Sequence, residues 1–422
     1  MSTTLRVLIV TDAFPPVCGG SGWSSWELVH GLVSRGHHVE VVKLEAGSQG
    51  VTESAYEEVK VTTFRQPAPA VPVVRNMAKN ERMWSKAATY LTTRLRTTMV
   101  DIVHAQHVMS TVPAVRAGAE TGTPVVATVR DYWPVCYWSD LIHDPRAPTL
   151  CPACTTSMMR QCVRPRAGSA AVAAWSLIPY MRRNLHTKRT TLARANAVIA
   201  VSTRIADDLE ARAPELAETP VFTIPNPIDL SRLDHADATD PPLDEPYVLY
   251  AGKLAPNKGV QFLLAAWETA RLPWPLVVVG EGPLGPSLQA DARRRKLDAR
   301  FLGWQDRAEV WRWMRHATML AFPSYGPESL SRVLLEAAAL GVPVAAMNTG
   351  GTGDILRADE TALLSTTPEE FARDLSRLGH DERLRAKLGH AARQDVRARF
   401  SAHSVVDRVE QVYRGLLGPR AA

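Results

Sequence analysis

The stretch "ESLSRVLLEAAALGVPV", residues 328–344, reads as a helix that hands over to a strand. Leu330, Leu334 and Ala338 recur at helical spacing, Gly341 supplies a stop, Pro343 lies just beyond it, and an apolar run follows. Two carboxylates frame the helix. Glu328 follows the Gly326-Pro327 break, and Glu336 sits inside the helical run. Two acids near one loop suit the acid and nucleophile of a sugar hydrolase. They also suit two separate grips on one polar ligand. Glu336 lies among Leu and Ala, where a carboxylate needs hydrogen-bond donors; ribose hydroxyls are one source, and an ordinary surface glutamate is the plain alternative.

Outward from this stretch, strand-like runs alternate with helical ones. "YVLYAG", "PLVVVG", "RFLGW", "TMLAFP" and "VPVAAM" form one series, and "RVLIV", "HVEVV", "DIVHA", "TPVVATV" and "NAVIAV" form another. Alternation of this kind predicts parallel sheets covered by helices on both faces. Residues 224–246, rich in Pro and Asp, separate the two series and predict a connection between domains. The expectation is an α/β chain of two Rossmann-like domains facing one another across a cleft, 1–228 and 229–400. The amphipathic segment 401–422 either caps the second or crosses back to the first. Ligands of such sheets bind beyond the C-terminal strand ends.

Three loops at those ends carry chemistry. "AGKLAPNKG" places Lys253 and Lys258 around a turn that feeds a helix near Gly259, a natural phosphate site or simply two solvated lysines. "VVVGEGPLG" ends a strand in Gly280-Glu281-Gly282, which permits close backbone approach or makes a tight turn. "NTGGTGD", 348–354, offers amides to a diphosphate.

Together these motifs resemble the donor-binding domain of the family-4 retaining glycosyltransferases, which have the GT-B fold. The family's pair of glutamates with seven residues between them, closed by Gly-Val-Pro-Val, matches Glu328, Glu336, Gly341, Pro343 and Val344. The resemblance implies that Lys253 and Lys258 bind the donor diphosphate, that Glu336 holds the ribose and that Glu328 contacts hydroxyls of the transferred sugar. It places Ser329, Leu330 and Ser331, with Gly280 and Glu281, among the donor-binding residues. Leu330-Ser331 stands where the family often has Phe-Gly, and Pro225-Asn226-Pro227 replaces its Pro-Asn-Gly. In the first half, "FPPVCGGSG" resembles the family's Gly-Gly loop through Gly19 and Gly20. "DIVHAQHVMS" resembles its Asp-Val-Val-His-x-His segment, with Gln106 in the second histidine's place and His107 beside it as the candidate. "TVRDYWPVC" resembles its Thr-x-His-Asp segment with Arg130 for histidine.

Cys136, Cys151, Cys154 and Cys162 fall in one loop-like insertion near 133–166, and "CPAC" is a C-x₂-C pair. In a reducing compartment four such thiols predict a structural zinc site; disulfides and free thiols are the alternatives. Residues 145–206 contain no Asp or Glu, and Arg182, Arg183, Lys188 and Arg189 crowd together after an apolar stretch that includes Trp175. That segment suits peripheral contact with an anionic membrane, or is a solvated helix. The N-terminal residues do not read as a signal peptide, which makes the cytoplasm the expected location. The net charge of +6 over 422 residues is too small to point to nucleic acid.

The expected activity is transfer of a sugar from a nucleotide-diphosphate donor to a hydroxyl acceptor (a glycan, a lipid-linked sugar or a small molecule). The resemblance implies retention of configuration without a catalytic metal, and the chain has no Asp-x-Asp. A sugar-nucleotide epimerase or hydrolase on the same scaffold is a second expectation. A non-catalytic sugar-nucleotide binder is a third.

Overall fold

A computed structural model describes residues 4–69, 77–144, 150–235 and 240–418. The sequence-predicted connection and cysteine insertion therefore each include a few positions, 236–239 and 145–149, outside the described residues. The chain forms two compact units. The first comprises the residues up to Ser139, Leu177–Pro227 and those from Ala402 onward; the second comprises Asp140–Ser176 and Ile228–Ser401. Most of the cysteine segment thus groups with the second unit, where the sequence reading had attached it to the first.

The first unit holds an eight-stranded sheet. In chain order its strands are β1 (Arg6–Thr11), β2 (His38–Ala46), β3 (Gly50–Tyr56), β4 (Val59–Gln66), β5 (Ile102–Ala105), β6 (Val125–Val129), β7 (Ala197–Ala200) and β8 (Val221–Thr223). They lie side by side as β3-β4-β2-β1-β5-β6-β7-β8. All neighbours are parallel except the β3–β4 hairpin. Ile9, Val10, Val126 and Ala197 are fully buried, as expected of strands covered on both faces. The helix Gly20–Val33 packs Trp26, Leu28, Val29 and Leu32 into this core. The C-terminal helix Ala402–Leu417 adds Val405, Val406, Val409, Val412 and Tyr413. Gly31 makes that packing possible: a Cβ there would stand 2.7 Å from Val406 Cγ2. His37 Nε2, 2.5 Å from Glu410 Oε1, ties the same helix to the end of the β1–β2 connection.

The second unit holds six parallel strands: β9 (Val248–Ala251), β10 (Leu276–Val279), β11 (Ala299–Gly303), β12 (Met319–Phe322), β13 (Val344–Met347) and β14 (Leu363–Ser365). Their order is β11-β10-β9-β12-β13-β14. The chain moves outward from β9 to β11 and then restarts at β12 on the other side of β9. In the first sheet it restarts in the same way at β5, beside β1. Loops leaving adjacent strands at such a switch diverge and open a crevice at the C-terminal edge. The candidate loops lie at that edge in each unit.

Candidate active site

In the second unit the switch point lies between β9 and β12. The loop after β9 turns through Pro256–Lys258 into the helix Val260–Ala270. Gly259 has φ +68°, and a Cβ on it would come within 1.8 Å of the Pro323 carbonyl oxygen. The turn therefore lies directly against the loop after β12. Gly326 N donates to Asn257 O at 2.9 Å, and Ser324 Oγ lies 3.2 Å from the same carbonyl. This seating brings Lys258 Nζ to 2.6 Å from Glu328 Oε1, and the Ser324 hydroxyl donates to that oxygen as well. Behind Glu328, Gly351 N donates to its carbonyl at 2.7 Å. Gly350, at φ +57°, has room for no side chain: its Cβ would lie 2.0 Å from Glu328 O. The glycines of "NTGGTGD" thus hold the backbone of Glu328, a role that spacing in the sequence does not reveal.

Glu336 lies on the helix Arg332–Leu340 and is only 5% exposed. Its Oε1 accepts from Arg332 Nε at 2.9 Å and from Arg307 Nη2 at 3.3 Å. The helix ends as its sequence predicts, with Gly341 at φ +79°. Ser331 stands at the helix N-cap with φ −71°, an ordinary extended-region value, so the backbone does not need the glycine that the family often has there. Leu330 is buried just ahead of it, and Ser329 is half-buried.

Lys253 is exposed, and its carbonyl accepts from the Tyr250 hydroxyl at 3.0 Å, which fixes the start of the same loop. Burial, and after it the Glu328 carboxylate, push the Tyr250 phenol up, so it stays a donor. Gly280 has φ +130°, and a Cβ would meet the Gly252 carbonyl at 2.0 Å; the backbones of the loops after β9 and β10 are in direct contact there. Glu281 Oε1 accepts from Trp304 N at 3.2 Å and so points toward the loop after β11 rather than toward Lys258.

In the first unit the switch point lies between β1 and β5. Gly19 and Gly20 begin the helix Gly20–Val33, with Gly19 as its N-cap and no side chain to cap it. His107 caps the helix Val108–Thr121. Its Nε2 is 3.1 Å from Asp131 Oδ2 and its Nδ1 is 3.6 Å from Asp12 Oδ2. Burial opposes its charge, but the attraction of Asp12 and Asp131 and the hydrogen bond to Asp131 outweigh both burial and nearby Arg130. The imidazole is pushed up to about 9. Arg130 is buried, and its guanidinium donates to Gln106 Oε1 and Asn226 Oδ1. Gln106 and Arg130, two departures from the family pattern, thus form one hydrogen-bonded group with Asn226 of Pro-Asn-Pro. His104 is buried between Tyr413 and Thr128, and burial followed by Arg130 depresses it to about 3.

The four-cysteine zinc site is not formed among the described residues. No group of three or more His, Cys, Asp and Glu side chains there is arranged to hold a metal. Cys136 belongs to the first unit and the other three to the second. The Cys151 and Cys162 thiols donate to the Ala153 and Met159 carbonyls, each at 3.3 Å, and no disulfide joins any of the five cysteines. No helix among the described residues is long and apolar enough to cross a membrane.

Sequence reasoning did not single out Ser324, Tyr250, Arg307, Asp12 or Asp131 as site residues. Each reaches its site from a different strand end. Arg332 was legible in principle, because a base four residues before Glu336 on a helix shares its face.

The model of Glycosyltransferase Family 4 matches residues 18–232, and that of Glycosyl transferases group 1 matches residues 231–395. A glycogen synthase of Mycobacterium tuberculosis is 26% identical over 431 aligned positions, covering 97% of this chain and 94% of that protein. Among solved structures, sucrose-phosphate synthase from Thermosynechococcus elongatus superposes with TM-score 0.74 at 20% identity, covering 97% of this chain and 99% of the other. Anabaena HepE, in complex with UDP and glucose, does so with TM-score 0.66 at 18% identity, covering 97% and 99%. The chain belongs to glycosyltransferase family 4 and is a GT-B glycosyltransferase.

Proposed function

We propose that this enzyme transfers a sugar, with retention of configuration, from a nucleotide-diphosphate donor held in the second unit to a hydroxyl acceptor. The observation that carries the reading is the cluster of Lys258, Glu328 and Ser324 at the β9/β12 switch point, with Glu336 on the helix that follows. Lys258 and Lys253 face the diphosphate, Glu328 takes hydroxyls of the sugar, and Glu336 takes the ribose. In the step itself the bond from the anomeric carbon to the phosphate oxygen breaks. The acceptor oxygen bonds to that carbon on the same face, and its proton passes to the departing diphosphate. The charge that develops there meets Lys253 and Lys258. In the first unit, Gly19, Gly20 and His107 serve the acceptor side. His107, charged near neutral pH, acts there as a hydrogen-bond donor and not as a base. The HepE complex with UDP and glucose supports a nucleotide-sugar donor.

A thermal-shift panel of UDP-, GDP- and ADP-sugars tests the donor. A ligand at about 100 times its Kd stabilises by about 2.7 kcal/mol. Absence of any shift sinks the donor assignment. Product anomeric configuration read by NMR tests retention, and donor turnover without acceptor would favour the epimerase or hydrolase alternative.

Of the bases expected to face a membrane, Lys188 is buried over the Tyr137 ring and Arg189 donates to Pro134 O, so peripheral membrane contact is supported instead by residues around Trp175. Val172 and Trp175 are exposed, Arg160 lies 5.8 Å over the Trp175 ring, and Arg164 is exposed nearby in sequence. Sedimentation with anionic but not neutral vesicles is the expected result; equal behaviour with both removes the idea.

A further inference from the structure

Glu336 is held in a way that its assignment as a ribose grip does not require. Both of its hydrogen bonds to guanidinium groups are made by one oxygen, Oε1. Arg332 comes from the same helix, four residues back, with its side chain 9% exposed. Arg307 opens the helix Arg307–Arg315 that follows β11, with its side chain 11% exposed. Arg307 is itself fixed. Asp306 caps its helix by accepting from Glu309 N at 3.0 Å, and the Arg307 guanidinium lies 4.2 Å from the centre of the Trp311 ring, one turn along.

A glutamate carboxylate turns freely about its last torsion, which has only a broad two-fold preference. Two rigid cations on one oxygen remove that freedom. They leave Oε2 as the oxygen that takes neither guanidinium bond. Hydroxyl recognition by a buried carboxylate depends on this kind of orientation, because a misaligned acceptor forfeits most of the bond.

We propose that Arg307 and Arg332 are positioning residues for Glu336: by engaging Oε1 they present Oε2 to the ribose hydroxyls of the donor, and so set the enzyme's preference for ribonucleotides over deoxyribonucleotides. The inference rests on the reading of Glu336 as the ribose grip.

Calorimetric titration of the full chain with UDP, GDP and ADP, and with the 2′-deoxy and 3′-deoxy counterpart of the tightest, tests both and separates them. Wild type should prefer the ribonucleotide by about 10- to 100-fold, the range for a hydrogen bond to a charged group. Glu336→Ala should abolish the preference. Arg307→Gln and Arg332→Gln should each reduce it to about threefold or less while binding of the deoxynucleotide stays near the wild-type value, and Arg332→Lys should recover part of it. A merely structural role would weaken ribo- and deoxyribonucleotide alike. If Arg332→Gln does not fold, Arg307→Gln and Arg332→Lys carry the comparison. Undiminished preference in folded arginine variants, with loss in Glu336→Ala, overturns this inference alone. A wild type without preference overturns the ribose reading and the inference together.

Discussion

Replacing Lys258 by methionine keeps the aliphatic stem and removes the charge 2.6 Å from Glu328 Oε1. The glutamate side chain is 8% exposed and the lysine side chain 31%, so the pair stands between two regimes. Solvated pairs are worth roughly 0–1 kcal/mol. Breaking a fully buried pair costs about 3–5 kcal/mol because the abandoned charge stays desolvated. Ser324 Oγ still donates to Glu328 in the variant, and the lysine end of the pair is partly wet. These place the cost of Lys258→Met near 2 kcal/mol. Glu328→Gln alone should cost about 1 kcal/mol, since the amide oxygen can keep the serine bond. The double variant should cost little more than Lys258→Met alone, because no stranded carboxylate remains, which gives a coupling just under about 1 kcal/mol. Hydrogen exchange of the Arg332–Leu340 helix reads the local opening free energy and does not require the two units to unfold together. Costs that add within about 0.5 kcal/mol would refute a direct pair and leave Lys258 a solvated cation.

Three other outcomes follow from particular contacts. Gly350→Ala must place a side chain at φ +57° with its Cβ 2.0 Å from Glu328 O, so it should lose at least about 2 kcal/mol of stability along with donor affinity; an unchanged melt and Kd would contradict the cradle. Gly31→Ala should cost about 1–3 kcal/mol by overpacking Val406, and Val406→Ala in that background should recover part of it; no recovery would mean that the C-terminal helix does not pack there. His107 is raised in the folded chain to about 9, so its ionic contribution is full below its ordinary value near 6.5 and is lost as pH rises through about 9. NMR titration of its ring protons checks this, and Asp131→Asn should lower the midpoint; a wild-type midpoint near 6.5 would refute the double-aspartate pairing.

Five strands of each sheet were legible as apolar runs, because strands covered on both faces carry little else. The four not singled out are of another kind. β3 is almost wholly exposed, β4 pairs with it as a hairpin, and β8 and β14 are only three residues long, too short for a period to register. The first helix starts at Gly20, within the glycine loop, earlier than its apolar spacing indicates. The cysteine insertion shows the limit of spacing as a guide. C-x₂-C is compatible with a metal, but whether four thiols converge depends on where the intervening chain runs.

By itself, the sequence determined the α/β class, the parallel strand pattern, the helix that carries Glu336 with its glycine stop, and the glycine-bounded loop of Lys258. All of these follow from local periodicity and from conformations that only certain residues adopt. The tertiary structure alone decided which charges distant in sequence meet. Lys258 finds Glu328 because β9 and β12 are neighbours at the point where the strand order reverses. Arg307 reaches Glu336 across 29 residues, and Asp131 reaches His107 from the next strand. The amphipathic C-terminal helix announced a buried face, but only the fold supplied Gly31 and His37 as its partners in the first unit. Periodicity says that a face is covered; the order in which strands assemble says by what.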